Sequence, residues 1–127
     1  MESIMPLNPT ENYLRDRRDH VLLNFAGALG TTTRYLTGAG NYVGDGYPMP
    51  APGKAVRLFV YDGANVRTTT LPTSFNQGDR LCLLAQYDAP WFQVTLRINN
   101  QDTGTYVNQV AANSNVQASL LVQLAVY

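Results

Sequence analysis

Phe92-Gln93-Val94-Thr95-Leu96-Arg97-Ile98-Asn99 alternates apolar and polar side chains without a break. In an extended strand successive side chains point to opposite faces. Phe92, Val94, Leu96 and Ile98 therefore share one face, and Gln93, Thr95, Arg97 and Asn99 share the other. Downstream, Asn99-Asn100-Gln101-Asp102-Thr103-Gly104 has the composition of a hairpin loop, and residues 105–110 return as a partner strand. Upstream, residues 80–87 form a strand bounded by Asn76-Gln77-Gly78-Asp79 and by Asp88-Ala89-Pro90.

The same pattern extends in both directions. Val56, Leu58 and Val60 face one way, and Arg57, Phe59 and Tyr61 the other. Asp62-Gly63-Ala64-Asn65 is a turn with the chemistry for positive φ, and residues 66–71 pair back. Pro72 consigns the residues after it to an edge or a loop. Val116, Ala118, Leu120, Val122, Leu124 and Val126 line one face of a last strand, entered through Asn113-Ser114-Asn115. Near the start, Val21, Leu23 and Phe25 alternate with Leu22, Asn24 and Ala26, and residues 31–36 are a second β-rich run. Residues 37–53 are dense in Gly and Pro and read as a long loop, with at most a short strand near Asn41-Tyr42-Val43. Seven to nine short strands with turn signals between them predict an all-β, single-domain antiparallel β-sandwich. Residues 21–127 form the domain, and residues 1–20 an extended or partly helical N-terminal arm. Within that arm Arg15-Asp16-Arg17-Arg18-Asp19-His20 alternates in charge, as an ion-paired or solvated stretch does.

Composition excludes several functions. The 127 residues carry 9 basic and 9 acidic side chains, so the formal net charge is zero. Charged residues make up 14% of the chain, against a typical ~25%. Lys54 is the single lysine. Such a chain offers no electrostatic footprint for nucleic acid or an anionic membrane. No apolar run approaches the ~20 residues of a membrane-spanning helix. The opening Met1-Glu2-Ser3-Ile4-Met5-Pro6 lacks a basic region followed by an apolar stretch, so no secretory signal is expected. Cys82 and His20 are each the only residue of their type, which removes disulfide frameworks, cysteine metal sites and multi-histidine zinc sites.

Catalysis has little to work with. A triad needs a histidine beside the nucleophile, and His20 lies in the charged N-terminal stretch. Asp45, Asp62, Asp79, Asp88 and Asp102 all sit at turns, where Asp is a normal turn former. Asp62-Gly63-Ala64-Asn65 and Asp45-Gly46 lack the spaced acidic ladder of a calcium loop. Gly38-Ala39-Gly40 and Gly44-Asp45-Gly46 are followed by no helix that could hold a phosphate. The expectation is a protein that is not an enzyme and uses no cofactor or metal.

Surfaces remain. In residues 80–87, Leu81 and Leu83 point one way and Cys82 and Leu84 the other, so both faces are apolar. A strand with one wet face does not look like this. Its second face lies either under a loop or against another subunit. Phe59, Tyr61, Cys82, Leu84 and Tyr127 are the residues such a subunit interface would use. Trp91, Tyr42 and Tyr47, near abundant Asn and Asp, are alternative candidates for stacking on sugar rings.

Three stretches carry a resemblance: Pro52-Gly53-Lys54-Ala55-Val56-Arg57-Leu58-Phe59-Val60, Phe75-Asn76-Gln77-Gly78-Asp79-Arg80-Leu81-Cys82-Leu83, and the alternating segment 92–99. Together they resemble the small jelly-roll domains of tailed-phage virion proteins, the trimeric tumour-necrosis-factor/C1q-like folds of fibre heads and capsid decoration (cement) proteins. The likeness spans residues 50–127. It implies a jelly-roll order of strands, a homotrimer built on apolar strand faces, and a location on the virion capsid surface after assembly in the host cytoplasm. The implied partner is the phage major capsid protein, gripped by an arm that includes Tyr13, Leu14, Arg15, Arg17 and Arg18. With no room for a fibre shaft, decoration is the favoured function, and a receptor- or glycan-binding fibre head is the alternative.

Overall fold

The computed structural model describes residues 18–38 and 46–125. Tyr13, Leu14, Arg15 and Arg17 of the expected arm, the loop residue Tyr42 and the terminal Tyr127 lie outside the described residues, as does the short strand expected near 41–43.

Ten strands succeed one another: β1 (Arg18–Ala28), β2 (Arg34–Tyr35), β3 (Thr37–Gly38), β4 (Tyr47–Pro48), β5 (Gly53–Tyr61), β6 (Val66–Phe75), β7 (Arg80–Asp88), β8 (Trp91–Ile98), β9 (Gln101–Ala111) and β10 (Asn115–Ala125). No helix occurs among the described residues. The strands form two antiparallel sheets, the first ordered β3-β1-β10-β5-β6 and the second β2-β7-β8-β9, with β4 also paired to β7. The protein is a β-sandwich. The jelly-roll part of the expectation is not confirmed. A jelly roll interleaves strands distant in sequence, whereas β7, β8 and β9 form a meander of consecutive strands.

The period-2 pattern dictates the core. β1 contributes Leu23 and Phe25, and β10 contributes Val116, Ala118, Leu120 and Val122. Facing them across the sandwich are Leu81, Leu83 and Ala85 of β7 and Phe92, Val94 and Leu96 of β8. Each fully buried Leu, Val or Phe stabilises the fold by about 1.5–3 kcal/mol relative to an exposed one.

β5 departs from the expected alternation. Ala55, Leu58 and Val60 are buried and Val56 is only half-buried, because the pairing with both β10 and β6 shifts at Val56. One extra residue there forms a bulge that reverses the facing of the strand's first residues. β1 starts at Arg18, so residues 18–20 pair with β10 as part of the sheet and the expected arm boundary at residue 20 falls inside a strand.

The β-rich run at 31–36 contracts to the two residues of β2, and the Gly/Pro-rich region supplies two short edge pieces, β3 and β4. The turns obey their residues. Asn99 (φ 52°) and Asn100 (φ 62°) make a two-residue turn between β8 and β9, the left-handed pair that suits Asn. Asp79 accepts the N–H of Asn76 at 2.8 Å and closes the turn before β7.

Candidate functional site

Residues directly opposite each other in an antiparallel pair share a face, so the register maps both outer surfaces. On the first sheet three rows run across β1, β10, β5 and β6. They are Ala26·Gln117·Tyr61·Val66, Asn24·Ser119·Phe59·Thr68 and Leu22·Leu121·Arg57·Thr70. The apolar members lie on a diagonal: Leu22 and Leu121, then Phe59, then Tyr61 and Val66. Leu22 is 53% exposed and Val66 62%. Tyr61 is also well exposed, and its hydroxyl donates to the Gly63 carbonyl at 3.1 Å, which fixes the ring.

One corner of this face is hollowed. A shallow groove of about 500 Å³ is lined by Asn24, Ala26, Thr37, Gln117 and Ser119. Ser119 Oγ donates to Asn24 Oδ1 at 3.0 Å, and the Asn24 carbonyl accepts the Tyr47 hydroxyl at 3.1 Å. Tyr47 comes from β4, on the edge of the other sheet. Its ring meets Phe25 edge-on at 5.3 Å. It also covers Gly38, where a Cβ would stand 2.6 Å from the ring. Tyr47 thus ties the two sheets together at this edge.

The second sheet presents a different outer surface. Its rows are Cys82·Arg97·Asp102, Tyr35·Leu84·Thr95·Tyr106, Gln86·Gln93 and Asp88·Trp91·Ala111. Trp91 and Tyr106 are each more than two-fifths exposed, whereas Thr95 is 1% exposed. Thr95 Oγ1 and Gln86 Oε1 lie 3.2 Å apart in a hydrogen bond, with the hydroxyl donating. The Arg97 guanidinium donates to the Asn100 carbonyl.

The expected interface residues are therefore divided. Phe59 and Tyr61 lie on the outer face of the first sheet, and Cys82 and Leu84 on the opposite side of the sandwich. Cys82 is buried within the single chain, and Leu84 lies half-buried in a row that ends in Tyr35 and Tyr106. These four residues do not form one surface. The expected sugar-contact residues are divided too, with Trp91 exposed on the second sheet and Tyr47 engaged at the sandwich edge. Sequence reading passed over Leu22 and Val66 on one face and Tyr35, Tyr106, Gln86 and Gln93 on the other. Their strand alternation marks them as outward-facing, but nothing local says which strands stand side by side.

Asp62 is the buried carboxylate. Its Oδ1 accepts the N–H groups of Ala64 (3.0 Å) and Asn65 (2.9 Å), and its Oδ2 accepts that of Ala111 at 3.2 Å. Burial is the largest single influence and raises its pKa. The three N–H donors and the charge of Arg67 together outweigh burial and hold the carboxyl below its ordinary value. No cluster of three His, Cys, Asp or Glu side chains capable of holding a metal occurs among the described residues. No protein-family profile, curated protein or solved structure matches this chain.

Proposed function

We propose that the chain is a structural virion protein, a capsid decoration protein that works as a homotrimer. The observation that supports this most is the diagonal apolar band from Leu22 to Val66 on the outer face of the first sheet. Leu22, Tyr61 and Val66, with parts of Leu121 and Phe59, expose a patch of roughly 300 Å2, within the ~300–600 Å2 of the largest apolar patch on a typical monomer, which is often functional. A standard interface removes ~800 Å2 per side, with an apolar centre and a polar rim. Thr68, Thr70, Gln117 and Ser119 flank the band as such a rim, and the Asn24 groove beside it has room for a projecting side chain. Arg57 is the single charged side chain in the three rows, and a second copy of the chain is the occupant that the apolar band suits. The threefold count and the capsid partner rest on the resemblance of residues 50–127 to phage jelly-roll proteins.

In this reading capsid grip is multivalent. Three modest contacts linked through one trimer raise the effective concentration of each and slow release. The test is co-sedimentation of the full chain with undecorated, expanded capsids of the phage that carries its gene. Saturable binding in multiples of three per site is expected, and loss of binding on deletion of residues 1–17 would place the grip in the arm. Absence of binding at micromolar protein contradicts the decoration reading.

A further inference from the structure

We infer that the outer face of the second sheet is a binding site for a neutral oligosaccharide. The inference does not depend on the decoration reading, because the site lies on the side of the sandwich away from the apolar band.

Three aromatic side chains frame this face. Tyr35 and Tyr106 stand at the two ends of one row, three strand spacings or about 14 Å apart. Trp91 stands four residues along β8 from Thr95, about 13 Å away. Between them lie the amides of Gln86 and Gln93, directly opposite each other. The Thr95 hydroxyl occupies the Gln86 carbonyl oxygen, which leaves the Gln86 amide N–H groups as donors in a set orientation. Aromatic faces suit the apolar faces of sugar rings, and side-chain amides give and take hydrogen bonds with hydroxyls. The span fits a short chain of sugars rather than a single ring.

Charge selects the class of sugar. Arg97 and Asp102 lie in the row at one end, and Asp88 in the row at the other. The two rows between carry no charged side chain. An acidic glycan laid over those two middle rows would lose hydration there without meeting a cation in either row. The surface is complementary to an uncharged, hydroxyl-rich ligand.

Trp91 is the only tryptophan of the chain, so its fluorescence reports on this face alone. The full chain is screened on an array of neutral and acidic oligosaccharides, and hits are titrated by tryptophan emission. A neutral oligosaccharide should shift or quench the emission saturably. Tyr106→Ala should weaken that binding about tenfold and Tyr106→Phe should leave it nearly unchanged, with the far-ultraviolet circular dichroism of both variants unaltered. Failure of every neutral oligosaccharide to bind, or hits confined to acidic ones, overturns the inference. So does a Tyr106→Ala variant that changes the oligomeric mass, because the face would then belong to a second copy.

Discussion

Asp62 shows how one carboxylate holds a distant pair of strands. Its turn with Ala64 and Asn65 caps the β5–β6 hairpin, and the bond to the Ala111 N–H fastens that hairpin to the end of β9. Replacing Asp62 with Ala leaves three backbone donors without their acceptor, at a cost of about 2–3 kcal/mol. Urea denaturation of the Asp62→Ala variant measures that loss. The direction of the shift sets the pH dependence. A carboxyl whose folded pKa is depressed contributes stability that is complete above its unfolded pKa, near 3.9, and is lost as pH falls through the lower folded value. Asp79 acts in the same direction, its pKa lowered by the Asn76 N–H and the Asn99 side chain. Unfolding midpoints measured from pH 6 to pH 2 should therefore fall mainly below pH 4, and more shallowly in Asp62→Ala. The turn role of both aspartates was legible in the sequence from the Gly and Asn beside them. The link to Ala111 was not, because its partner lies 49 residues away.

The long strands were legible as elements, and the short ones were not. β5 through β10 carry enough alternation to declare themselves, although the bulge at Val56 and the register shifts of β9, where Val107 and Val110 are both buried, break the period locally. β2, β3 and β4 have two residues each, too few for any period, and exist because β7 and β1 offer edges to pair with. The contacts of Tyr47 with Phe25 and Asn24 were hidden for the same reason, because both partners lie more than twenty residues away in the chain. Glycine spacing matters at this edge. Gly46 has φ +80°, and a Cβ there would stand 2.7 Å from the Leu81 carbonyl oxygen. Gly63 has φ +96° with nothing within 4 Å. Both Ala substitutions carry the backbone cost of about 1 kcal/mol or more. Gly46→Ala must in addition push β4 away from β7, so its thermal midpoint should drop several degrees further than that of Gly63→Ala. Equal drops in the two melts would remove the close approach from the account.

At the scale of the molecule, the sequence carried the sandwich but not the identity of its surfaces. Alternation within a strand says which side chains share a face; it is silent on which strands share a sheet. Phe59 and Leu84 therefore looked like parts of one seam, although the register puts them on opposite sides. With the sheets assigned, one outer face carries an apolar diagonal and the other an aromatic frame around amides. Under the proposed function the apolar face is the one that meets a second copy. The most direct test is the light-scattering mass of the full chain beside a Leu22→Glu/Val66→Glu double variant. Three times the 14.0 kDa chain mass is expected for the native protein, and a folded 14.0 kDa monomer for the variant. A native protein that is monomeric at micromolar concentration, or a variant that keeps the native mass, would contradict the proposed trimer.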